Sequence, residues 1–138
     1  MSEETEYRRG RHVVSAMHVH LVFVTKYRRG VLDDEMLTVC EKAMRTVCEK
    51  FEAELKEFNG EADHVHLLVH YPPKVSVSGL VNSLKGVSAR ILRRDFTGRI
   101  NRAIMHGHFW SPSYFAASCG GAPLAIIRQY IEQQKRPL

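Results

Sequence analysis

The sequence predicts an α+β fold: a ferredoxin-like, RRM-like β-α-β-β-α-β sandwich with an antiparallel sheet and an extra C-terminal helix. Three observations predict it. Segments at about 16–27 and 63–70 alternate their side chains with the two-residue period of a strand. Segments at about 33–54 and 76–94 repeat apolar residues at helical spacing. These four, with a turn-bounded strand between them and an aromatic run at 109–118, follow one another in the order of the sandwich. Such a sheet carries both helices on one face and leaves the other face available for a site.

The first strand places Met17, Val19, Leu21 and Phe23 on one face, and His18, His20, Val22 and Val24 on the other. It runs into Lys26-Tyr27-Arg28-Arg29-Gly30, where an aromatic ring is set among cations, a composition suited to a phosphate backbone with a base stacked on the ring. The first helix buries Met36, Leu37, Cys40, Ala43, Met44, Val47, Cys48 and Phe51, with Asp33 or Asp34 as its cap. A short strand over Glu54 to Phe58 then turns through Asn59-Gly60, a hairpin signal.

The strand that follows, Asp63-His64-Val65-His66-Leu67-Leu68-Val69-His70, organises the chain. Val65, Leu67 and Val69 form one row, and His64 and His66 stand side by side on the other face. Neutral imidazoles two residues apart on a strand can converge on one divalent metal. By period alone His18-Val19-His20 is as good a pair, and the spacing does not choose between them.

Tyr71-Pro72-Pro73 ends this strand, and Ser76 or Ser78 caps a second helix whose stripe is Leu80, Val81, Leu84, Val87, Ile91 and Leu92. Lys85, Arg90, Arg93 and Arg94 remain for solvent or phosphate. The run containing Trp110, Tyr114 and Phe115 is the last strand, placed at an edge or bulge by Pro112. Gly120-Gly121 makes a joint, and Pro123 opens a third helix with the stripe Leu124, Ile127 and Ile131. On its flank Tyr130 and Gln134, four residues apart, are neighbours.

Composition narrows the function classes. The 138 residues suit a single domain: an extension over 1–12 expected to be flexible, a sandwich over 13–118 and a helix over 122–136. No apolar run is long enough to span a bilayer or serve as a secretory signal, so a cytoplasmic protein is expected. Cys40, Cys48 and Cys119 show no Cys-x-x-Cys spacing and are assigned to packing as reduced thiols. From His64 onward ten Lys/Arg face only Asp95 and Glu132, a net charge of +8, which is the footprint of a polyanionic partner.

Several segments in order resemble the small single-tyrosine transposases of the HUH nuclease superfamily, those of the insertion-sequence 200/605 type often called TnpA. They are Val24-Thr25-Lys26-Tyr27-Arg28-Arg29, Asp63-His64-Val65-His66-Leu67-Leu68, Leu84-Lys85-Gly86, Trp110-Ser111-Pro112 with Tyr114-Phe115, and Tyr130-Ile131-Glu132-Gln133-Gln134. The resemblance settles the rivalry between histidine pairs, since the family's pair matches His64 and His66. It implies that these two and Gln134 bind a divalent metal, Mg²⁺ or Mn²⁺, and that Tyr130 is the nucleophile that nicks and rejoins single-stranded DNA through a 5′-phosphotyrosine, without ATP. It further implies recognition of subterminal hairpins and a homodimer in which each tyrosine helix completes the partner's site in trans. Lys26, Tyr27, Arg28, Arg29, Lys85, Arg90 and Trp110 are the candidate DNA contacts. A domesticated HUH nickase and a catalytically silent single-stranded nucleic-acid-binding module are the competing readings, and the constellation of two histidines, tyrosine and glutamine argues against the silent module.

Overall fold

The computed structural model describes residues 7–9, 14–15, 17–104, 107–118 and 124–133, with the side chains of 104 and 124–128 left aside. Within them β1 (Arg8–Arg9) and β2 (Val14–Ser15) form a small antiparallel ribbon. The sandwich follows as β3 (Met17–Val24), α1 (Asp34–Lys50), β4 (Glu54–Glu61), β5 (His64–Tyr71), α2 (Val77–Ile104) and β6 (Phe115–Ser118), and α3 (Leu124–Gln133) comes last. The sheet order is β4-β5-β3-β6 with every neighbour antiparallel, the predicted ferredoxin-like topology.

One face of the sheet is the core. Leu21, Phe23, Val65, Leu67 and Val69 meet Met36, Cys40 and Met44 of α1 and Leu80, Leu84 and Leu92 of α2, all fully buried or nearly so. Asp33 caps α1 by accepting from the Met36 amide at 2.8 Å, and of the two candidate serines it is Ser76 that caps α2, its Oγ accepting from the Gly79 amide at 3.1 Å. Burial pushes the Cys40 and Cys48 thiols up to about 12, which suits packing rather than chemistry; Cys119 lies outside the described residues.

Three boundaries differ from expectation. Asn59-Gly60 is not the hairpin turn: β4 continues through it, pairing Asn59 with His66 and Gly60 with Val65, and the chain reverses at Ala62-Asp63. The glycine gives α1 room, because a Cβ there would lie 2.5 Å from Leu37 Cδ2 and make that side chain shift. Helix α2 does not stop near Arg94 but runs on to Ile104, kinked at Phe96 (φ −132°, ψ 35°). The last strand is shorter than 109–118. A single bridge joins Trp110 to Thr25, and pairing resumes only at Phe115, beyond Pro112, which has no amide hydrogen to give.

Candidate functional site

The register builds the site on the face that α1 and α2 leave uncovered. His64 lies opposite Val24, His66 opposite Val22, Leu68 opposite His20, and His70 opposite His18. Residues paired across an antiparallel ladder share a face, so both sequence-level histidine pairs stand on one surface. Within it His18 and His70 stack with centroids 4.2 Å apart, while His20 Nδ1 reaches His66 Nε2 at 3.1 Å.

His64 is held by its neighbour. Asp63 Oδ1 lies 2.8 Å from His64 Nδ1, and Arg28 Nε lies 2.7 Å from Asp63 Oδ2. Arg28 can reach inward because Tyr27 and Arg28 both adopt left-handed backbone, with φ of 57° and 54°. That costs roughly 1–2 kcal/mol per residue and persists only where the surroundings enforce it. Buried Thr25 does so: its carbonyl accepts from the Arg28 amide at 2.8 Å, its hydroxyl donates to the Arg29 carbonyl at 2.6 Å, and its amide donates to the Asp63 carbonyl at 2.9 Å. One buried threonine thus fixes both the basic turn and the residue that orients His64.

The donor set fits a divalent cation. With His64 Nδ1 committed to a carboxylate, its Nε2 keeps a lone pair. Burial, and next the neighbouring His20, hold His66 below the ordinary histidine pKa, in the neutral form a metal requires. Among the described residues no third His, Cys, Asp or Glu completes a cage, which leaves room for an amide, water or substrate oxygen. Gln134 lies outside the described residues, as do Gly120-Gly121 and Pro123.

Tyr130 is on the same face. Helix α3 rests on its own chain's sheet, where Tyr130 and Ile131 pack with Val22, Val24 and Phe115, the Tyr130 and Phe115 centroids 5.8 Å apart. The Tyr130 hydroxyl meets Ser113 Oγ at 2.9 Å, and Glu132 Oε2 lies 3.3 Å from Arg28 Nη1. Burial raises the Tyr130 phenol above the ordinary tyrosine value, and the Ser113 bond draws it part of the way back. This docking is in cis, the arrangement that the family resemblance makes secondary.

The candidate DNA contacts divide. Tyr27, 39% exposed, has Lys26 Nζ 5.4 Å and Arg29 Cζ 5.9 Å from its ring centre, an open basic and aromatic cluster beside the histidine face. Arg28 instead faces Asp63. Two of the candidates are engaged within the fold. Trp110 is 3% exposed and donates from Nε1 to Ser88 Oγ at 3.0 Å, so its ring is core and no base can stack on it. The half-buried Lys85 ammonium donates to the carbonyls of Ser111 and Pro112 at 2.8 and 3.2 Å, with burial lowering its pKa, and so it orders the loop that carries Ser113 instead of standing ready for phosphate. Arg90 lies with Lys42, Lys50 and Arg94 along the groove between α1 and α2, away from the histidines. Residues that spacing did not single out are Thr25, Asp63, Ser113 and Glu132. Thr25, Asp63 and Glu132 lie within the segments that carry the family resemblance, whereas Ser113 gave no sequence signal.

A family model described as "Transposase IS200 like" matches residues 13–134. The chain is 34% identical over 115 residues to the transposase for insertion sequence element IS200 of Salmonella typhimurium, covering 83% of this chain and 74% of that one. It is 30% identical over 129 residues to the ISDra2 transposase TnpA of Deinococcus radiodurans, covering 94% and 91%. Among solved structures, a Deinococcus radiodurans chain described as a transposase superposes with a TM-score of 0.84 at 33% identity, over 92% of this chain and 97% of that one. A REP-associated tyrosine transposase bound to a REP hairpin shares the fold, with a TM-score of 0.57 at 15% identity over 93% and 68%.

Proposed function

Because the chain belongs to the IS200-like transposases, and is therefore a DNA strand-transferring enzyme, we propose that it nicks and rejoins single-stranded DNA at the ends of an insertion sequence through a 5′-phosphotyrosine on Tyr130. The observation that carries this reading is that Tyr130, His64 and His66 share the one sheet face that the two sandwich helices leave open.

The phenol oxygen gives up its proton to water as it attacks the scissile phosphorus, a bond to tyrosine forms, the bond to the 3′ oxygen breaks, and that oxygen takes up a proton from water and leaves as a 3′-hydroxyl. The phosphodiester's energy is kept in the new ester, so a 3′-hydroxyl can reverse the step without ATP. His64 and His66, with Gln134, would hold a Mg²⁺ or Mn²⁺, which supplies charge to the scissile phosphate and favours the transition state. Asp63 and His20 orient the two imidazoles; burial keeps the phenol neutral, and Ser113 engages its hydroxyl until substrate displaces it.

Substrate is a single strand carrying a hairpin, held in part by the Lys26, Tyr27 and Arg29 cluster. The solved relative with a bound REP hairpin supports the hairpin, and a homodimer with sites composed in trans is the assembly that the family resemblance implies. The attachment of α3 is also consistent with exchange, since its described contacts are two apolar side chains, one hydroxyl pair and one exposed ion pair. The test is to incubate the protein with Mn²⁺ and hairpin DNA and look for a covalent adduct on a denaturing gel. Tyr130→Phe should bind the DNA and give none, and an adduct from that variant would remove Tyr130 from its role.

A further inference from the structure

His20 and His66 touch through ring nitrogens, Nδ1 to Nε2 at 3.1 Å, with ring centroids 5.2 Å apart and planes tilted by 32°. They are not directly opposed: His20 pairs with Leu68 and His66 with Val22, so the contact is diagonal across β3 and β5. Two neutral imidazoles at this distance share one proton, and it can come from either ring. If His20 donated, the Nε2 lone pair of His66 would be engaged and its proton would sit on Nδ1, leaving neither nitrogen for a cation. If His66 donates from Nε2, its Nδ1 keeps a free lone pair.

Resting on the metal site proposed above, we propose that His20 is a positioning residue that accepts from His66 Nε2–H and so fixes the tautomer of His66 that presents Nδ1 to the cation. Asp63 does the same for the other ligand through the opposite nitrogen: it takes His64 Nδ1–H and leaves Nε2. The two ligands therefore offer different nitrogens, each set by a hydrogen bond from outside the ligand set. His20 is not itself a ligand, because its Nδ1 is engaged by His66 and its Nε2 carries the proton.

The experiment reads tautomers directly, by long-range ¹H–¹⁵N correlation on the full chain without metal or DNA, at about pH 8 where ordinary imidazoles are neutral. The expected wild-type result is His66 protonated on Nε2. His20→Leu should give mixed tautomers, and His20→Gln, whose Oε1 can accept the same bond, should restore one. Mn²⁺ affinity by titration calorimetry should fall roughly 10- to 100-fold in His20→Leu and recover in His20→Gln. His66 protonated on Nδ1 in the wild type, or an unchanged tautomer or Mn²⁺ affinity in His20→Leu, overturns the role of His20 alone. A wild type with the expected tautomer and no Mn²⁺ affinity overturns the metal site itself, and the role of His20 with it.

Discussion

Asp63 joins two residues that the chain keeps far apart, receiving His64 Nδ1 at 2.8 Å on one carboxylate oxygen and Arg28 Nε at 2.7 Å on the other. Both partners are donors, so the residue between them must accept twice. Asp63→Asn can accept from only one, because its amide nitrogen turns a donor toward the other. The expected outcome is a loss of Mn²⁺ affinity of about tenfold or more, since residues that orient metal ligands are commonly worth that much. Titration calorimetry measures it, with hairpin binding in the absence of metal as the control. Undiminished affinity would mean that His64 needs no orienting partner.

The Tyr130 phenol gives a prediction about pH. Burial raises its pKa above the ordinary value, so the folded chain binds that proton more tightly than the unfolded one. The docked position of α3 is therefore fully stabilised below about pH 10 and loses that contribution as pH rises through the higher, folded value. Because the Ser113 bond opposes the shift, Ser113→Ala should move the titration higher still. Ultraviolet absorbance of tyrosinate measures this, with Tyr130→Phe identifying the late component. Titration of that component at or below the ordinary tyrosine value would contradict the buried position.

Trp110 and the Lys26, Tyr27 and Arg29 cluster lie close in the fold but should respond in opposite ways. Trp110→Phe removes the donor to Ser88 Oγ and part of a buried ring, a cost on the order of 2 kcal/mol of stability by urea unfolding. Its affinity for hairpin DNA should stay as in the wild type. Lys26→Ala and Arg29→Ala should leave stability nearly unchanged, weaken binding, and each reduce the slope of log affinity against log salt by about 0.7, the value for one phosphate on a single strand. Loss of DNA affinity in Trp110→Phe at full stability would return the indole to the DNA surface.

Much of this arrangement was legible in the sequence, for local reasons. The alternation around His64 and His66 and the stripe from Met36 to Cys48 depend on neighbours two to four residues apart, and the sheet order follows from their succession. Non-local devices were not legible. No spacing reveals that His20 meets His66 diagonally across two strands, or that Lys85 turns inward to three loop carbonyls instead of outward to phosphate. Asn59-Gly60 misled because the glycine answers to the Leu37 side chain on α1 and not to a turn.

The last prediction concerns which sheet the tyrosine helix serves during catalysis. In the structure α3 lies on its own chain, held by Tyr130 and Ile131 against Val22, Val24 and Phe115 and by the Arg28–Glu132 pair. Glu132 has 68% of its side chain exposed, and an ion pair so open to solvent contributes at most about 1 kcal/mol. The same contacts would be remade with no loss on an identical sheet in a twofold dimer, so exchange changes little in enthalpy and is governed by the joint and by protein concentration. A mixture of Tyr130→Phe subunits with His64→Ala subunits, each inactive alone, tests this. Composition in trans predicts about a quarter of wild-type adduct, because half of randomly paired dimers are mixed and each of those has one intact site of two. Composition in cis predicts none. Sedimentation of the wild type should show the dimer at the same concentration, and a monomer there, with full activity, would place every working site within one chain.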